Sequence, residues 1–142
     1  MNERQNPVRQ VVGIDISKDK FDVCLTVRYE GLTDTVLFTG EFDNTASGIS
    51  NFYKKIQSKQ VVKCPIWYVM EATGVYYEEL AWMLHNQQEQ VSVVQPNKIK
   101  QFSKSLDVRS KTDRIDAKSI SRYGLERNLT RWNAPSTLIW LI

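Results

Sequence analysis

Four carboxylates in three short motifs could form a single acidic site. Asp15 ends the apolar run VVGID, Glu71 ends WYVME, and Asp113 and Asp116 lie three residues apart in SKTDRIDAKS. Short apolar runs are typical of buried strands, so the first two acids are expected at the edge of a sheet. In a helix-like segment, a spacing of three predicts that the last two acids share one helical face.

Grouped carboxylates imply a compensating cation, because like charges repel and a charged group resists the loss of water. Oxygen ligands with no histidine or cysteine nearby favour magnesium or manganese. This combination is typical of enzymes that act on phosphodiester bonds with two divalent ions. Each acid also has an ordinary alternative role. An acid at a strand end can stabilise a turn, and acids in the first helical turn offset the helix dipole.

The length and composition of the chain indicate one globular domain. The chain has 142 residues, of which 42% are hydrophobic and 25% charged, which is ordinary for a folded protein. The sequence contains no apolar run of about 18 residues, so no transmembrane helix is predicted. The polar start MNERQNPVRQ does not resemble a secretory signal, and a cytoplasmic location is therefore expected. Cys24, Cys64 and His85 have no partners at metal-ligand spacing, which argues against zinc or a catalytic triad.

Positive charge is concentrated in residues 98–131, which hold ten basic residues and four acidic ones. A basic segment of this kind could bind the phosphate backbone of a nucleic acid, although a solvated charged helix face is an equally ordinary explanation. Beside a carboxylate cluster, the nucleic-acid interpretation is favoured. The candidate nucleic-acid-binding residues are Lys18, Lys98, Lys100, Lys104, Arg109, Lys111, Arg114, Lys118 and Arg122.

The hydrophobic periodicity predicts three strands, then alternating helices and strands. Strands are predicted over 9–16, 21–28, 35–43, 65–70 and 91–95, and helices from Asn44 or Thr45 to 57, over 75–87 and 97–105, and from Ser110 or Thr112 to 126. This order is the layout of an α/β ribonuclease H-like fold, with a mixed five-stranded sheet flanked by helices. Trp67, Tyr76, Tyr77 and Trp82 are expected in the core rather than on a base-stacking surface.

Residues 1–127 are expected to form this domain. Residues 128–142 are expected to be a linker and the start of a truncated C-terminal region, because the apolar end LIWLI has nothing to pack against within the predicted fold.

Three motifs also resemble a known family. The chain resembles the N-terminal RuvC-like domain of the DEDD transposases in three motifs that occur in the same order, namely GIDISK, EATG and KTDRIDAKSISRYG. This family comprises the Piv-like DNA invertases and the transposases of insertion sequence 110. The resemblance covers about residues 10–127. It implies that Asp15, Glu71, Asp113 and Asp116 are the catalytic metal-binding tetrad. Other matched positions are Ser17, Lys18, Thr73, Gly74, Lys111, Thr112 and Arg114.

The resemblance implies a DNA transposase or site-specific recombinase that cleaves and transfers strands with two Mg²⁺ or Mn²⁺ ions. It further implies a homo-oligomer that has DNA as its partner, admits a structured guide RNA as a second partner, and places the protein at the nucleoid of a bacterium or archaeon. No membrane partner is expected. Members of the family continue into a helical domain with a serine implicated in cleavage.

Three other functions remain open on the sequence. One is a stand-alone RuvC-like nuclease for branched DNA, and another is a non-catalytic DNA-binding or assembly module that lacks its second domain. The third is an actin-like or sugar-kinase ATPase, since those folds also open with an apolar strand ending in Asp. That function would need glycine-rich phosphate loops, which the sequence does not offer.

Overall fold

The computed structural model describes residues 6–105 and 115–135. Within them, the predicted order of elements is confirmed. The strands are β1 (Pro7–Ile16), β2 (Lys20–Tyr29), β3 (Thr33–Asp43), β4 (Ile66–Glu71) and β5 (Gln90–Val94). The helices are α1 (Ala46–Lys59), α2 (Glu78–Asn86), α3 (Pro96–Ser105) and α4 (Ala117–Glu126). None of the helices in these ranges is long and apolar enough to cross a bilayer.

The five strands form one mixed sheet in the order β3-β2-β1-β4-β5. Short turns join the first three strands, so these pair antiparallel, whereas β4 and β5 run parallel to β1. The carboxyl ends of β1, β4 and β5 therefore meet at one edge of the sheet. This arrangement confirms the predicted ribonuclease H-like architecture.

Each face of the sheet carries its own apolar core. On one face, α1 and α2 bury Phe52, Ile56 and Leu80 against the strands. On the other face, α3 and α4 pack on alternate residues of β1 and β4, including Val11 and Val69. Full burial of each such side chain stabilises the fold by roughly 1.5–3 kcal/mol. β1 is buried on both faces, which explains its nearly continuous apolar sequence.

Helix α4 lies unusually close to β1, because glycine occupies both contact points. A Cβ atom at Gly13 would lie 2.2 Å from the Ala117 carbonyl oxygen and 2.3 Å from the Ser121 amide nitrogen. A Cβ atom at Gly124 would lie 2.7 Å from a methyl carbon of Val11. These separations are too short for any larger side chain, so the two glycines fix the depth of α4 on the sheet.

Arg28 of β2 forms hydrogen bonds with the C-terminal end of α4. Its guanidinium donates to Asp34 at 2.7 and 2.9 Å, to the Glu126 carboxylate at 2.8 Å and to the Leu125 carbonyl at 3.1 Å. The hydrogen bond to Asp34 is the largest influence that raises the pKa of Arg28, so the side chain stays charged. Helix α4 is therefore held at both ends.

Two details differ from the sequence prediction. Helix α4 begins at Ala117, with Asp116 as its N-cap in an extended conformation. The prediction that Asp116 shares a helical face with Asp113 is therefore wrong, because a cap residue lies outside the helix. Asp113, Ser110 and Thr112 lie outside the described residues. Tyr76 is 45% exposed rather than in the core, because it precedes α2, which begins at Glu78 and not at residue 75 as predicted.

Beyond α4, residues 128–135 form neither helix nor strand, yet they are attached to the domain. The Trp132 amide donates to the Val91 carbonyl at 2.7 Å, and its ring centroid lies 5.5 Å from that of Trp82 in an edge-to-face contact. The division of the chain at residue 127 stays a prediction, and 136–142 lie outside the described residues.

Candidate metal and nucleic-acid site

Asp15 and Glu71 lie side by side at the carboxyl edge of the sheet. Ile14 pairs with Met70 in the parallel β1–β4 ladder, so the two acids are the next residues on adjacent strands. Neighbouring strands are about 4.8 Å apart. Both acids lie on the face that α4 covers, because they alternate with Val11 and Val69 of that core. Both are half-buried.

Asp116 reaches the same edge and face from α4. Its carboxylate accepts from the Ser119 amide at 2.8 Å, which caps the helix. The next residue, Ala117, is the one that touches the close-packed Gly13, two positions before Asp15. The close approach of α4 therefore carries Asp116 towards the two strand-end acids. One carboxylate oxygen of Asp116 is used by the cap, and the residue itself is exposed.

Two further acids continue the line of carboxylates that Glu71 and Asp15 form across the sheet. We call Glu71, Asp15, Asp22 and Glu41 the acidic row. Asp22 lies directly opposite Asp15 in the β1–β2 ladder, and Glu41 lies opposite Asp22 in the β2–β3 ladder. Neither acid was among the residues predicted from sequence, although the short SKDK turn implies a register that places Asp22 opposite Asp15. A surface depression is lined by Asp15, Ser17, Asp19, Lys20, Phe21, Asp22, Glu41 and Ile115.

The donor set suits a hard divalent cation, because it consists only of carboxylate oxygens. Within residues 6–105 and 115–135, however, no three Asp, Glu, His or Cys side chains form a group that could hold one ion. Glu71 already accepts from the Thr73 hydroxyl at 2.7 Å. The fourth predicted ligand, Asp113, lies outside those ranges, so the complete set of ligands stays a prediction.

The candidate nucleic-acid-binding residues that the structure describes are exposed. All but Lys18 lie on α3 and α4, the helices that cover the face of the sheet with Asp15 and Glu71. Apolar Ile99 and Phe102 turn inward from α3, and Phe102 packs edge-to-face on Tyr123 of α4 at 5.5 Å between ring centroids. This packing leaves the charged positions of both helices in solvent. They are Lys98, Lys100 and Lys104 on α3, and Lys118 and Arg122 on α4. Lys18 is exposed in the turn after β1. Arg109, Lys111 and Arg114 lie outside the described residues.

The sequence matches the profile of the insertion sequence 110 (IS110) DEDD family, described as "Transposase", over residues 12–139. This chain belongs to the IS110 DEDD transposase family. It is also similar to the pilin gene-inverting proteins of Moraxella lacunata and Moraxella bovis, with 34% identity over 125 residues in each case. These matches take in 88% of this chain and 37% of each relative, so the chain spans little more than a third of their length.

A solved structure with the same fold is Thermus thermophilus RuvC in complex with a Holliday junction substrate. The TM-score is 0.55 at 13% identity, and the match takes in 87% of this chain and 99% of the RuvC chain. At this identity the likeness establishes the fold and nothing finer. It confirms the predicted RuvC-like, ribonuclease H-like fold.

Asp116 has two separable roles in this geometry, a helix cap and a candidate metal ligand. Asn caps a helix as well as Asp does, so Asp116→Asn is expected to leave the free energy of unfolding within about 0.5 kcal/mol of the wild type. It is expected to weaken divalent-ion binding, since a charged ligand is lost. Asp116→Ala is expected to cost about 1 kcal/mol in addition. Urea unfolding and manganese titration of both variants separate the two roles, and equal ion affinity in Asp116→Asn and wild type would exclude the ligand role.

Proposed function

We propose that this chain is the catalytic domain of a DNA transposase or site-specific recombinase, which cleaves and transfers DNA strands with divalent metal ions. The observation that carries the proposal is the meeting of Asp15 and Glu71 at one sheet edge, with Asp116 entering from α4. Membership of the IS110 family and a RuvC-like fold support it. The Moraxella relatives are named pilin gene-inverting proteins, and the Thermus thermophilus RuvC structure contains a Holliday junction substrate, which associates these proteins with DNA.

In this proposal, Asp15, Glu71, Asp113 and Asp116 hold Mg²⁺ or Mn²⁺, with two ions per site. Bound ions of this kind orient the scissile phosphate and offset the charge that develops on its oxygens. The chain's own contribution is to fix carboxylates on rigid elements, namely two strand ends and a helix cap. The half-buried positions of Asp15 and Glu71 strengthen their attraction to a cation, because fewer water molecules screen the charges.

The exposed lysines and arginines would bind the DNA backbone. Lys18 lies in the turn that follows Asp15 and could contact non-bridging phosphate oxygens next to the reacting group. The basic residues of α3 and α4 lie on the face that carries the acidic row, so they could guide the duplex to it. Such contacts supply affinity rather than sequence recognition.

The partners of the complete protein belong to the same proposal. Beyond DNA, these are a second copy of the protein and a structured guide RNA. Residues 1–127 would form the catalytic domain. Residues 128–142 would be a linker and the start of a C-terminal region. The attacking oxygen would come from water, from a DNA 3′-hydroxyl or from a serine of that region.

The experiment is nicking of supercoiled plasmid DNA by the purified protein with Mg²⁺, Mn²⁺ or EDTA. We expect nicked product with either ion and none with EDTA. Glu71→Gln keeps the size of the side chain, and its product is expected to fall at least about a hundredfold, since even outer partners of metal ligands cost 10–100-fold. Metal-dependent binding of DNA without any nicking would instead support the assembly-module function. Cleavage confined to branched DNA would support a free-standing nuclease.

A further inference from the structure

Asn44 joins the two turns that follow the strand-end acids. Its side-chain amide donates to the Ser17 carbonyl at 3.1 Å and to the Tyr76 carbonyl at 3.0 Å. Its backbone amide donates to the Asp19 carbonyl at 2.8 Å. One residue therefore connects the turn two positions after Asp15 with the turn five positions after Glu71.

This connection lies where the sheet no longer holds the two strands together. The last pair in the β1–β4 ladder is Ile14 with Met70, so both acids lie beyond it. Among the residues that the structure describes, the turn after β1 has the Ser17 amide donating to the Lys20 carbonyl at 2.9 Å. In the turn after β4, the Thr73 hydroxyl donates to the Glu71 carboxylate, and the Ala72 amide donates to the Val94 carbonyl of β5 at 2.9 Å. None of these contacts joins the turn after β1 to the turn after β4, whereas Asn44 does.

The orientation of the Asn44 side chain is set by the two contacts that its nitrogen donates. Its side-chain oxygen is buried and has no hydrogen-bond partner among residues 6–105 and 115–135. A buried acceptor without a partner lowers stability, so it calls for a reason. Turning the amide over would give the oxygen no donor, because both groups facing the nitrogen are carbonyl oxygens. The residue after it, Thr45, already caps α1.

We propose that Asn44 is a positioning residue, which sets the separation of Asp15 and Glu71 by tying their two turns together. This inference rests on the proposed function, in which both acids hold the same metal ions. Asn44 itself is not expected to touch the metal or the DNA. Its effect should therefore appear in the affinity for the ion, independently of any loss of overall stability.

The test is titration of the purified protein with Mn²⁺, followed by thermal unfolding without metal. Asn44→Ala is expected to weaken Mn²⁺ binding about tenfold, by comparison with other residues that orient metal ligands. Thr45→Ala is the matched control. It removes the neighbouring helix cap and is expected to lower the melting temperature by about 3–5 °C, while its Mn²⁺ affinity stays at the wild-type value.

Asn44→Asp has the same shape but presents oxygens, which cannot donate, to the Ser17 and Tyr76 carbonyls. A positioning role predicts weaker Mn²⁺ binding in this variant, whereas a purely local charge effect predicts tighter binding. Asp15→Asn separates the two proposals. If Asp15→Asn loses Mn²⁺ binding while Asn44→Ala and Asn44→Asp retain it, the role of Asn44 is wrong and the proposed function stands. If Asp15→Asn binds Mn²⁺ as the wild type does, the proposed function itself is wrong.

Discussion

Gly13→Ala is expected to lower the free energy of unfolding by about 2–3 kcal/mol, the upper part of the roughly 1–3 kcal/mol that an extra methyl group costs in a packed core. The added Cβ atom would lie 2.2 Å from the Ala117 carbonyl and 2.3 Å from the Ser121 amide, both of which are backbone atoms. A backbone contact cannot be relieved by turning a side chain, so α4 itself must move away from β1. Urea unfolding followed by circular dichroism measures the loss.

The matched control is Gly40→Ala in β3 of the same sheet. There the added Cβ atom would lie 2.7 Å from the end of the Phe38 ring, a side-chain atom that can move. A strand also loses less conformational entropy on folding with Ala than with Gly. We expect Gly40→Ala to stay within about 1 kcal/mol of the wild type. Equal losses at the two positions would contradict the close packing of α4 as the cause.

The displacement of α4 should also affect the site. Asp116 immediately precedes Ala117, so any movement of the helix away from Gly13 carries the cap carboxylate away from Asp15. Gly13→Ala should therefore bind Mn²⁺ less tightly even at temperatures where it is fully folded. This links the packing of the sheet to the chemistry proposed for its edge.

Asp15→Asn is expected to abolish the stabilisation that divalent ions give to the folded protein. A ligand at a hundred times its dissociation constant stabilises the folded state by about 2.7 kcal/mol. The wild type should therefore melt at a higher temperature in Mg²⁺ or Mn²⁺ than in EDTA, and Asp15→Asn should melt at the same temperature in all three. Asn has nearly the shape of Asp, so the variant should remain folded. Differential scanning calorimetry provides the measurement.

Asp19→Asn makes the same change of charge at a nearby position. Asp19 is exposed in the turn after β1 and lines the depression that also contains Asp15. Its backbone carbonyl, which accepts from the Asn44 amide, is unaffected by the substitution. Asp19→Asn should therefore keep the metal-dependent rise in melting temperature. A similar loss in both variants would indicate general charge attraction rather than a defined ligand.

The elements of the sheet could be predicted from sequence because their periodicity is strong. The alternation in β2 and the apolar run in β4 gave strand positions within one or two residues. Pro96 marked the start of α3, as its fixed backbone angle suits a first helical turn. The start of α4 was missed because several residues in SKTDRID can cap a helix, and only tertiary packing on Gly13 selects Asp116.

The site was only partly accessible from sequence. The strand-end positions of Asp15 and Glu71 followed from the apolar runs. Asp113 and Asp116 were candidates from their spacing of three, and the resemblance assigned all four acids to one tetrad. Asp22 and Glu41 depend on strand register, which a sequence specifies only once the turns are known. The contacts of Asn44 join residues 27 and 32 positions away, and no local pattern encodes such contacts.

The most direct test of the central claim is a Mn²⁺ titration of the purified protein by isothermal calorimetry, in the presence of a short DNA duplex. The proposed metal site predicts saturable binding of two ions, which is lost in Asp15→Asn and in Glu71→Gln and retained in Asp19→Asn. Binding of unchanged affinity and stoichiometry in Asp15→Asn and Glu71→Gln would contradict it, and would show that the acids at this sheet edge do not hold the metal.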